Sequence, residues 1–161
     1  MEESENSTTT AYLRAEKAAL RLIARAEQCT NGLIRKLERR KHDPASISEV
    51  ISMLTKANLL NDSRFASLWL RSRLRFARTP RRLLSSLCAR GIDHDDAQAA
   101  LQTALDPETE NSLLARFVKK HARKAGGKKG EKTEDIKRSL KFLLRGEGFS
   151  TAAIGQYLEE Q

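Results

Sequence analysis

The chain has 161 residues, 39% of them apolar and 5% aromatic, and carries a formal net charge of +9. That length suits one ordinary domain or a short array of small units, with a core built largely of Leu, Ile and Ala. No run approaches the roughly 18 uninterrupted apolar residues that span a bilayer, and Cys29 and Cys88 lie far apart and are expected to be reduced, so a cytoplasmic protein with no membrane partner is expected.

Residues 1–10 are polar and acidic, with neither the basic nor the apolar region of a signal peptide, and read as a disordered tail. Beyond them apolar residues recur at three- and four-residue intervals, interrupted by only three prolines and eight glycines, which predicts an all-α chain. The first helix is expected over about Ala11–Glu27. A second runs through Leu33 and Leu37 to a turn at Lys41-His42. Asp43-Pro44 starts a third, a cap followed by proline at the first helical position, with Ile47, Val50 and Ile51 as its apolar face.

The next long helix is expected over Asp62–Ala77. On a helical wheel extended to Arg78, Arg64, Arg71, Arg75 and Arg78 share one stripe, Phe65, Trp69 and Phe76 a second face, and Ala66, Leu70, Leu74 and Ala77 a third. Arg73 lies between the apolar faces and is expected to form a structural ion pair with Asp62 or with an acid from another unit. Thr79-Pro80 then caps a helix that buries Leu83, Leu84, Leu87 and Cys88. Its outer side chains, Arg81, Arg82, Ser85 and Ser86, are expected to form a phosphate cradle. A turn at Gly91-Ile92 leads into an acidic helix with Ala97, Ala100 and Leu101 inward. Asp106 precedes a helix over Pro107–Arg123. Residues 124–132 read as a flexible basic loop that includes Lys128 and Lys129, and Leu140, Leu144, Gly148-Phe149, Ser150, Ile154, Tyr157 and Leu158 complete the pattern.

Aligning the leucines exposes a repeat. Leu33/Leu37, Leu83/Leu87 and Leu140/Leu144 each lead, at the same offset, to Lys41/His42, Gly91/Ile92 and Gly148/Phe149. The cap residues Asp43, Asp93 and Ser150 follow in turn. Gly at the turn suits a left-handed helix terminus, and Asp or Ser then caps the next helix. With a long helix before each pair, the chain reads as three three-helix repeats over 11–60, 61–106 and 107–161, stacked as an elongated, curved array.

From Arg64 to Arg90 there are eight arginines and no Asp or Glu. Such a stretch cannot neutralise itself, and phosphates or an acidic protein groove are its natural complements. Chemistry is not signalled. His42, His94 and His121 are scattered without Cys or carboxylate at metal-ligand spacing, and no nucleophile elbow, phosphate-binding glycine loop or HExxH motif occurs. The expectation is a binding protein and not an enzyme, with no metal or cofactor.

Asn61-Asp62-Ser63-Arg64-Phe65-Ala66, Arg71-Ser72-Arg73 and Pro80-Arg81-Arg82-Leu83, with Leu87 and Gly91-Ile92, resemble the RecX family of recombinase regulators. So do Ala18-Ala19-Leu20-Arg21-Leu22-Ile23-Ala24-Arg25 and Gly148-Phe149-Ser150 with Ile154. The resemblance implies tandem three-helix repeats that bind the RecA–single-stranded-DNA filament and restrain its ATPase, strand-exchange and co-protease activities. It departs from the family's usual pattern at Asn61, Thr79 and Gly32, where an aspartate, a glycine and a glutamate are usual. The expected filament- or DNA-binding residues are Arg64, Arg71, Arg75, Arg78, Arg81, Arg82, Lys128 and Lys129, on a chain expected to be a monomer. The competing reading is an autonomous helix-turn-helix DNA-binding protein, which would need a recognition helix with base-reading side chains.

Overall fold

The structure, a computed structural model, describes residues 2–125 and 133–160, with side chains over 8–121 and 134–160. Among these residues there are nine helices and no strand. They are α1 (Glu2–Arg25), α2 (Thr30–Arg39), α3 (Pro44–Lys56), α4 (Asp62–Leu74), α5 (Pro80–Cys88), α6 (His94–Ala104), α7 (Pro107–Ala125), α8 (Thr133–Gly146) and α9 (Thr151–Glu159). Helix α1 takes in residues 2–10, which their polarity predicts to be a tail. No proline or glycine precedes Gly32 to break it.

The turns obey the repeat. Lys41, Gly91 and Gly148 all adopt positive φ, at 59°, 83° and 89°. After α2, His42 N donates to Leu37 O and Lys41 N to Glu38 O; after α8, Phe149 N donates to Leu144 O and Gly148 N to Arg145 O. These paired bonds satisfy carbonyls left open at a helix end. Asp43 then accepts from Ser46 N and Ser150 from Ala153 N, capping α3 and α9 as their sequence predicts.

By packing, the chain divides into two compact units, Met1–Ala66 with Ala89–Asp93, and Ser67–Cys88 with His94–Gln161. In the first, α1 lies against α2 and α3. Its core is Ala15, Ala19, Leu33, Leu37, Ile47, Val50, Leu54 and Leu60. In the second, α5 packs on α6, and α7 and α8 pack on α9. Leu83, Leu87, Leu113, Leu114, Leu144 and Ile154 are fully buried there, and the Phe117 and Phe149 rings meet at 5.8 Å.

Each unit uses one of the glycine turns as a joint. In the first, Asn31 Nδ2 donates to Gly91 O at 3.0 Å, and a Cβ on Gly91 would come within 2.0 Å of that same nitrogen. In the second, Arg81 N donates to Glu147 O at 3.0 Å, and a Cβ on Gly148 would lie 3.1 Å from Arg81 N. Asn31 and Arg81 stand at equivalent places in the repeat, so the same turn receives the start of the same helix twice. Cys29 and Cys88 are free thiols.

Candidate anion-binding site

Helix α4 ends three residues before the Asp62–Ala77 span that periodicity predicts. Thr79 precedes Pro80, and a residue before proline is pushed out of the helical region. The chain tightens ahead of it, with Phe76 N on Arg73 O at 2.9 Å and Arg78 N on Phe76 O at 2.7 Å. The carbonyls released at the end of α4 go to Arg116 of α7, whose Nη2 and Nη1 donate to Leu74 O and Arg75 O, each at 2.9 Å. A guanidinium at a helix C-terminus satisfies acceptors and complements the dipole together.

This break detaches Arg75 and Arg78 from the α4 wheel. Arg75 Nε donates to Ser72 O, and its guanidinium lies 5.6 Å from the Phe76 ring centroid. Arg78 instead lies in the segment leading into α5. There an open cleft of about 710 Å³ is lined by Arg78, Arg81, Arg82, Ser85 and Ser86, with Ala77, Lys120 of α7 and Glu147. Among the described residues, four cations thus face one carboxylate across a partly enclosed space. Like charges held together repel, and a polyanion entering the cleft relieves that repulsion.

The start of α5 is already answered by the protein's own groups. Thr79 O accepts from Leu83 N, so Thr79 stands at the cap position. Its hydroxyl, however, donates to Glu147 Oε2 at 2.6 Å. Arg81 N is taken by Glu147 O, and Arg81 Nη1 donates to Gly146 O at 3.2 Å. The predicted cradle therefore offers an anion chiefly side chains, Arg78, Arg82 and Lys120, with the Arg81 amide already taken. Arg78, Arg82 and Lys120 are exposed and form no ion pair among the described residues.

Other predicted residues lie elsewhere. Arg64 is structural: its Nε meets Glu27 Oε1 at 2.7 Å, while Nη1 and Nη2 donate to Asn58 O and Leu59 O at 3.0 and 3.1 Å. Arg71 is exposed on α4, outside the cleft. The expected Asp62–Arg73 ion pair does not form. The two are eleven residues apart on one helix, roughly 16 Å of axial rise. Asp62 Oδ1 accepts from Thr30 N, the first amide of α2, at 2.7 Å. Arg73 lies with its guanidinium 5.6 Å from the Trp69 ring centroid, and its buried Nε has no hydrogen-bond partner among the described residues. Lys128 and Lys129 fall outside the described residues.

A family model for the second three-helix domain of RecX matches residues 61–101, which hold α4, α5 and most of α6. A regulatory protein RecX from Halorhodospira halophila is 34% identical over 137 residues, covering 85% of this chain and 81% of the relative. The chain belongs to the RecX family. Another relative, the regulatory protein RecX of Treponema pallidum (strain Nichols), is 35% identical over 114 residues, 70% of each chain. The fold agrees with a crystal structure of RecX from Lactobacillus salivarius at a TM-score of 0.72 and 21% identity, covering 94% of this chain and 97% of that one. Family relatives are named as regulatory proteins, not as enzymes.

The matched RecX domain supplies the arginines of the cleft but not all of its wall. Lys120 and Glu147 come from outside residues 61–101. Sequence reasoning missed both: Glu147 sits directly before the glycine turn that meets Arg81, but only the tertiary contact brings it there. Gly32 has a packing reason: a Cβ there would come within 2.9 Å of Cys29 Sγ.

Proposed function

We propose that this RecX-family chain regulates homologous recombination by binding the RecA–single-stranded-DNA filament and restraining its ATPase, strand exchange and co-protease activity. The observation that carries the reading is the cleft in which Arg78, Arg81, Arg82 and Lys120 face one carboxylate. Such a site holds anions by charge and does no covalent chemistry. On a filament the anions are backbone phosphates or acidic side chains of the recombinase. A ligand that binds one filament state better than another shifts the population toward it, and that is sufficient to slow turnover. The chain acts as a monomer in the cytoplasm and needs no cofactor.

Salt separates the two sources of anion. Affinity for bare single strands should fall with a log–log slope of about −0.7 per phosphate engaged. Affinity for the assembled filament should be higher and fall less steeply, because protein contacts add to it. Equal affinities and equal slopes for strand and filament would reduce the chain to a plain nucleic-acid binder.

A further inference from the structure

Helix α8 carries a feature that neither its core nor the cleft accounts for. Phe142 is 82% exposed. Leu144, the fully buried residue of the helix, lies two positions on, about 200° around the axis. Phe142 is therefore aimed almost directly away from the face that packs, where burial has no use for a phenyl ring.

Three of its neighbours on that outer face are cationic, beside the small residues Ser139 and Gly146. Arg138, Lys141 and Arg145 stand at −4, −1 and +3 from it, so the four side chains form one band down the helix. Arg138, Lys141 and Arg145 are exposed, and among the described residues none forms an ion pair. The two acids of α8, Glu134 and Asp135, are confined to its first turn, where they complement the helix dipole, and Asp135 closes the far end of the band. The other end of the band meets the arginine cleft, since Gly146 O, at the close of α8, accepts from Arg81.

We infer that this band binds single-stranded nucleic acid directly, with a nucleobase stacked on Phe142 and the flanking phosphates held by Arg138, Lys141 and Arg145. An exposed ring among unpaired cations is the arrangement that single-strand binders use, because every base has a π-face and every linkage a charge. An exposed phenyl alone would be unremarkable. The cations around it select an anionic polymer with flat apolar units over an apolar protein segment. A duplex is a poor fit, since its bases are already stacked on one another. The inference goes beyond the filament reading and stands without it, because it concerns the bare strand and this chain alone.

The test compares oligothymidylate with an abasic sugar–phosphate strand of equal length, each fluorescently labelled and titrated by anisotropy with the full chain. Wild type should prefer the strand that carries bases. Phe142→Ala should lose about tenfold on oligothymidylate, the contribution of one stacked base, and nothing on the abasic strand. Phe142→Trp should keep the preference, and circular dichroism should show both variants as helical as wild type. Arg138→Ala with Lys141→Ala should weaken both strands alike. A Phe142→Ala chain that binds both strands as wild type does, or loses equally on both, overturns the inference. If it also loses its effect on recombinase ATPase while binding both strands normally, Phe142 contacts protein, and the filament reading survives without the base contact.

Discussion

Arg64 and Arg82 belong to the same acid-free stretch, and their surroundings assign them opposite work. Arg64 engages each guanidinium nitrogen internally, on Glu27 and on two carbonyls just after α3. Arg82 lines the cleft without an ion pair among the described residues. Arg64→Ala should therefore destabilise the fold by about 1–3 kcal/mol, the usual worth of hydrogen bonds to a charged group, read as a lower urea midpoint. Arg82→Ala should stay within about 0.5 kcal/mol of wild type, as surface changes do. The reverse order of stabilities would contradict this division. In sequence the two arginines look alike, because Glu27 lies 37 residues from Arg64 and nothing local announces it. The Asp62–Arg73 pairing went astray for a related reason: the wheel shows which faces residues share, not how far apart they stand along the axis.

At the scale of the element, the turns and caps were legible and the helix ends were not always so. Positive φ at Lys41, Gly91 and Gly148 follows from one shared offset after the leucines, and the caps at Asp43 and Ser150 follow from side-chain chemistry alone. The end of α4 was harder. Periodicity continues through Ala77, but Pro80 acts back on Thr79, and Arg116 from α7 takes the freed carbonyls. That local break moves Arg78 from an arginine stripe into the cleft. Glu147 gives this element its test. Its carboxylate accepts from Thr79 Oγ1 at 2.6 Å and is the one acid lining the cleft among the described residues. Glu147→Ala should lower Tm by a few degrees, through loss of a charge-assisted hydrogen bond, and should tighten binding to single-stranded DNA by removing repulsion. Weaker binding with an unchanged fold would mean that Glu147 positions Arg81 for its ligand and does not oppose that ligand.

Across the whole molecule, an all-α chain could be read from spacing alone, and the RecX resemblance agreed with it. The fold was legible because each three-helix group repeats the same local signals. The site was only partly legible, since its wall joins α5, α7 and the turn after α8, and only tertiary packing brings Lys120 and Glu147 to Arg78, Arg81 and Arg82. The excess of nine positive charges favours anionic partners without saying where they bind; the cleft is the place we propose.

The most direct test is recombinase ATPase on excess single-stranded DNA, titrated with this chain well below one copy per recombinase subunit. Wild type should suppress turnover at that ratio, and the Arg78→Glu/Arg82→Glu variant should not, while keeping wild-type helicity and melting temperature. Suppression only at ratios that coat the strand, or full suppression by the charge-reversed variant, would contradict regulation of the filament through this cleft.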